Sequence, residues 1–137
     1  LPSVVRPSDA ARLARSLPEV TEGERHGNPT WFVGGKAFAW MRPFSQADLR
    51  RFGEAEPPAG PVLAVRTLDL EDKAAVLAAG VPGLFTIPHF DGFAAVLVAL
   101  RVVGRPALRE LLEDGWLACA PPTLAGPGRL RRSGPRR

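Results

Sequence analysis

Glu22, Glu24 and His26 alternate along the chain. On an extended strand that spacing puts all three side chains on one face, a carboxylate and imidazole set of the kind that can hold a cation. A sheet-edge strand that shows polar residues to water gives the same pattern, and that plainer reading is favoured. His89 lies between Pro88 and Phe90-Asp91-Gly92, in a turn that can present an imidazole at a strand end. His26 and His89 are the only histidines, so a three-histidine metal site is impossible. A Ser-His-Asp triad would lack the strand-turn-helix context that exposes its serine. Glu22, Glu24, His26 and His89 therefore stand as ligand-site candidates only, with no catalytic residue, no metal and no cofactor assigned, and the chain is expected not to be an enzyme.

Cys119 is the only cysteine, which rules out an intramolecular disulfide and a cysteine-based zinc finger, and a reducing compartment fits best. Its place beside Trp116 on an apolar helix stripe points to core packing and an inert thiol. Gly34-Gly35-Lys36 lacks the full spacing of a phosphate loop and the helix that should follow, so it reads as a hairpin with a basic tip. Trp31, Phe38 and Trp40 would stack bases on an exposed sheet face, but aromatic residues in a hairpin more often pair across strands in a core, and the core is favoured.

The formal charge of +4 raises the question of where the positive charge sits. Arg129, Arg131, Arg132, Arg136 and Arg137 fall within the last nine residues, which contain no acid. Removing those 5 from the 18 basic residues leaves 13 against 14 acidic, so the rest of the chain carries −1. A tail of this kind can neutralise phosphates without reading bases. Elsewhere the phosphate-contact candidates are Lys36 and Arg42 on the hairpin, with Arg50 and Arg51 on the loop after it.

These residues must be positioned by one small domain. A chain of 137 residues with 45% hydrophobic residues can bury a single core. No apolar run reaches the ~20 residues of a membrane span, so the expected location is the cytoplasm, with no membrane partner. Ser8 or Asp9 can cap a helix from about Asp9 to Leu17. A strand from about Glu22 to His26 is expected next, followed by a turn at Gly27-Asn28-Pro29 and a hairpin over residues 30 to 42 with Gly34-Gly35 at its tip. Residues 43 to 61 read as a long exposed loop with a short turn near Gln46 to Phe52, and Val62 to Thr67 resumes a strand.

Asp69 caps a helix over 70 to 79 that Gly80 closes, and Glu71 and Asp72 in its first turn suit the helix dipole. Leu84 to Ile87 and Phe93 to Arg101 read as strands, the second apolar on both faces and so central. A last helix from Pro106 to about Ala120 carries Leu108, Leu111, Leu112, Trp116 and Cys119 on one stripe. The expected fold is therefore α+β: a two-layer sandwich with a mostly antiparallel sheet of five or six strands and helices on one side, in the order α, three or four β, α, two β, α. Residues 1 to 125 form the domain, and 126 to 137 form a basic tail expected to be disordered.

Several segments together resemble the MmcQ/YjbR family of small bacterial proteins. They are Leu17-Pro18-Glu19-Val20-Thr21-Glu22, the run from Gly27-Asn28-Pro29 through Ala39, Pro88-His89-Phe90-Asp91-Gly92-Phe93 with Val96-Leu97-Val98, and Leu111-Leu112-Glu113-Asp114-Gly115-Trp116. The resemblance implies a two-layer α/β domain, a non-enzymatic DNA-binding role by structural analogy, and no enzymatic residues. The leading expectation is thus a nucleic-acid-binding module that contacts DNA or RNA through phosphates. The alternative is a protein-interaction or chaperone-like module with a protein partner, and the third is a small-ligand or metal-binding protein.

Overall fold

The computed structural model describes residues 4–124. The elements run α1 (Pro7–Arg15), β1 (Thr21–Arg25), β2 (Asn28–Val33), β3 (Lys36–Met41), α2 (Gln46–Phe52), β4 (Val62–Arg66), α3 (Leu70–Ala78), β5 (Leu84–Phe85), a 3-10 turn (Pro88–Phe90), β6 (Ala95–Ala99) and α4 (Arg105–Cys119). All strands join one antiparallel sheet in the order β1-β2-β3-β4-β6-β5. The α+β sandwich expected from the residue pattern is therefore the fold observed.

Local chemistry accounts for most boundaries. Helix α1 starts two residues before its expected start because Pro7 suits a first helical position, and Asp9 acts from inside the first turn, accepting from the Arg6 N–H at 2.9 Å. The first turn of the sheet is His26-Gly27, not Gly27-Asn28-Pro29. Both of its central residues have positive φ (54° and 79°), as a two-residue hairpin turn of type I′ requires. Gly34 and Gly35 repeat that geometry at φ 57° and 79° between β2 and β3. Asp69 caps α3 by accepting from the Asp72 N–H at 2.7 Å.

One irregularity decides which side chains reach which face. Trp31 opposes Ala39 but Phe32 opposes Ala37, so Phe38 is the extra residue of a β-bulge. Regular alternation would set Phe38 and Trp40 on one face. The bulge instead turns Phe38 and Ala39 toward the helices and sends Trp40 to the opposite face.

The first face holds the main core. Trp31, Val33, Phe38, Leu63, Val65, Val96 and Val98 meet Leu108, Leu111, Leu112 and Trp116 of α4, with Ala10 and Ala14 of α1 and Val76 of α3 at the margins. Each fully buried large side chain here contributes about 1.5–3 kcal/mol. Gly115 lets α4 approach closely, since a Cβ there would stand 2.9 Å from Val65 Cγ1 and 3.0 Å from the Arg66 carbonyl oxygen. Cys119 is buried on the same stripe, and burial pushes its thiol pKa up, against the opposing charges of Arg66 and Lys36.

The second face is not bare. Within the segment expected as a loop, Ser45 caps the short α2 by accepting from the Asp48 N–H at 3.1 Å. Phe44 and Phe52 then pack with Phe85, Phe90, Val62 and Leu97 against this side of the sheet. Helices α1, α3 and α4 share the first face, and α2 covers one end of the second.

Candidate functional site

The rest of the second face forms a groove of about 750 Å³. Strand alternation builds its floor. Asn28, Trp40, Arg42, Ala64 and Arg66 share the face, because Thr30 opposes Trp40, Trp40 opposes Ala64, and Arg66 opposes Ala95. Arg25, opposite Asn28 at the tip of the first hairpin, and Lys36, just past the second, stand at one end of it, while His89, Phe90 and Phe93 form the other wall.

Aromatic rings and guanidinium groups interleave along the floor. The Trp40 and Phe93 rings lie 6.1 Å apart, and Phe93 meets Phe90 edge-on at 5.6 Å. The Arg66 guanidinium sits 5.4 Å over Phe93, and that of Arg42 sits 5.5 Å over Phe90. Arg66 Nε also donates to the Ala94 carbonyl at 3.0 Å, so this side chain is held in place at two points.

Two polar anchors behind the surface fix these groups. Arg42 pairs with Asp48 at 3.0 Å and donates to the Pro43 carbonyl. Burial alone would raise the Asp48 pKa, but hydrogen bonds from Ser45 and the Arg42 charge outweigh it and hold the carboxyl below the ordinary range. On the other wall, the buried Lys73 of α3 donates to the carbonyl oxygens of Phe90 (2.6 Å) and Phe93 (2.8 Å). Burial lowers the pKa of its ammonium, with the Asp91 charge opposing.

The charge of the groove differs from that of the molecule. Arg25, Lys36, Arg42 and Arg66 converge on it, and no described acidic residue lines it. Only Arg42 among these four forms an ion pair with a described residue. A chain whose charge outside the tail is −1 thus concentrates cations in one concave, aromatic-floored place.

The expected site residues divide accordingly. Lys36 and Arg42 line the groove, whereas Arg50 and Arg51 are exposed on the last turn of α2 and do not. Arg129, Arg131, Arg132, Arg136 and Arg137 lie outside the described residues. Glu22, Glu24 and His26 do not meet on one face. Glu22 accepts from Trp31 Nε1 at 2.8 Å and from Arg15 at 3.0 Å, on the first face with Glu24, while His26 belongs to the turn and lines the groove. His89 lines it too, from the opposite wall. No group of three His, Cys, Asp or Glu side chains suited to a metal occurs among the described residues. Of the aromatic residues, Trp31 and Phe38 are core, and Trp40 reaches the groove.

Arg25, Arg66, Phe90 and Phe93 belong to the groove without having been site candidates in the sequence. Arg66 carried one signal, a cation ending the otherwise apolar run Val62-Leu63-Ala64-Val65 on the face of Ala64.

A family model described as YjbR matches residues 15–118. The chain belongs to the YjbR family. The match runs from the last residue of α1 through almost all of α4, so every element that builds the groove lies within the YjbR region. Among its relatives are the uncharacterized proteins Rv2570 of Mycobacterium tuberculosis and Mb2600 of Mycobacterium bovis. Each is 42% identical over 120 residues, covering 85% of this chain and 89% of the relative. No solved structure matches this YjbR chain. Among the described residues, no helix is long and apolar enough to cross a membrane.

Proposed function

We propose that this YjbR protein is a non-enzymatic nucleic-acid-binding module that holds the phosphate backbone in the groove on the second face of its sheet. The observation that carries the reading is the segregation of charge: Arg25, Lys36, Arg42 and Arg66 line one groove that no described acid enters. Phosphate neutralisation by such side chains supplies most of the affinity in non-specific nucleic-acid binding. The arginines of the C-terminal segment add a second, sequence-independent source of attraction.

Salt dependence separates the two contributions in the full chain. Replacing Arg25 and Arg66 with Ala removes two groove cations, and replacing the five arginines from Arg129 to Arg137 with Ser removes those of the tail. Each lost phosphate contact lowers the slope of log affinity against log salt by about 0.7–0.9. The reading requires the groove variant to bind more weakly and with a shallower slope. If it binds like the parent while the tail variant loses all affinity, the groove is not the interface.

A small anionic ligand is the second reading. It is favoured by the groove volume, about 750 Å³ and within the ~300–1,000 Å³ of small-molecule sites, and by the two histidines on facing walls. A protein-interaction role is less well supported, because α2 already covers one end of the sheet face on which an extended partner would lie.

A further inference from the structure

We infer that the groove takes a single nucleic-acid strand, with unpaired bases stacked on Trp40 and Phe93 and the backbone following Arg25, Lys36 and Arg66. The inference rests on the nucleic-acid reading above and narrows it. Phosphate binding alone needs only clustered cations, which both duplex and single strand can engage. Here the cations surround a recessed aromatic floor. Phe93 is 41% exposed although it lies beside the second core cluster, and Trp40 is half-buried next to it. Ring faces at the bottom of a groove have no use for a double helix, whose base faces are already stacked on each other and whose major groove alone is about 12 Å wide. They suit unstacked bases, each of which gains about 1–3 kcal/mol on an aromatic platform whatever its identity.

The rest of the lining does not discriminate between sugars. Arg25, Lys36, Arg42, Arg66, Asn28 and both histidines can each hydrogen-bond a hydroxyl, so a ribose or a deoxyribose strand can lie there.

Trp40 provides the readout. Trp31 and Trp116 are 2% exposed in the first-face core, so quenching of fluorescence by a ligand in the groove reports on Trp40. The full-length protein is titrated with a 12-nucleotide oligo-dT, the same strand with abasic sites throughout, a hairpin duplex of equal charge, oligo-U RNA and thymidine monophosphate. Oligo-dT and oligo-U should quench saturably and bind at least tenfold more tightly than the abasic strand, the hairpin duplex and thymidine monophosphate. Phe93→Leu should weaken oligo-dT about tenfold and leave the abasic strand unchanged, while Phe93→Tyr restores binding. A melting curve for each variant checks that the exposed ring was not needed for folding. Equal binding of the abasic strand, the duplex or the monophosphate overturns the inference and leaves the broader reading standing. Absence of binding by every nucleic acid at low salt overturns that reading as well.

Discussion

The Nζ of Lys73 lies 2.6 Å from the carbonyl oxygen of Phe90, so a buried cation on α3 holds the backbone of the segment that walls the groove. The same ammonium reaches the Phe93 carbonyl at 2.8 Å and so fixes both ends of the aromatic stretch. Lys73→Met keeps the apolar stem and removes the charged donor from two carbonyls, each of which keeps one backbone N–H, from Phe93 to Phe90 at 3.0 Å and from Ala95 to Phe93 at 2.8 Å. We expect a loss of about 1–3 kcal/mol in chemical denaturation and severalfold weaker DNA binding. Because burial lowers the Lys73 pKa, the folded state holds fewer protons than the unfolded state between the folded and the ordinary lysine pKa. Stability contributed by this group thus rises with pH across that window, and the variant should lose the rise.

Asp48 makes the opposite test on the acid side. Its folded pKa is below the ordinary carboxylate value, so its contribution is complete above the unfolded pKa and disappears as pH falls through the folded one. Asp48→Asn leaves the Arg42 charge without its partner over Phe90, and should cost about 2–3 kcal/mol at neutral pH. The parent should lose stability on acidification from pH 5 downward more steeply than the variant. Melting temperatures between about pH 7 and pH 3 check this. Asp9, whose pKa is lowered by the Arg6 N–H and by Arg105, contributes with the same sign and remains in both proteins.

Gly115 joins the helix layer to the site. Alanine is the better helix former, yet its Cβ would press on Val65 and on the carbonyl of Arg66, the residue that places a guanidinium over Phe93. Gly115→Ala is expected to destabilise by about 1–3 kcal/mol, and equilibrium unfolding measures it. A stabilising outcome would mean that α4 has room to move outward without strain.

Much of the frame could be read from residue pattern because its signals are local. Gly34-Gly35, the Asp69 cap with Gly80, and the α4 stripe from Leu108 to Cys119 each declare themselves within a few residues. Helix α2 showed only as a short turn near Gln46 to Phe52, since seven residues are too few to form a helix on propensity, and it is held instead by Phe44 and Phe52 against a distant face. The bulge at Phe38 was equally hidden, and it alone decides that Trp40 faces the groove. His26 left the face of Glu22 and Glu24 because it belongs to a turn with φ 54°. The groove itself has no linear signature: Arg25, Lys36, Arg66 and Phe93 meet only through the order of the strands.

The location of binding is tested most directly by the three indole N–H signals in a nitrogen-15 spectrum of the full chain titrated with oligo-dT. Those of Trp31 and Trp116 donate to Glu22 and to the Pro18 carbonyl on the far side of the sheet, whereas Trp40 lies in the groove. The account predicts that the Trp40 signal moves and saturates with the backbone amides of 25–28, 36–42, 66 and 89–93, while the other two indoles stay in place. A titration that leaves Trp40 and those amides unmoved while shifts collect elsewhere contradicts it.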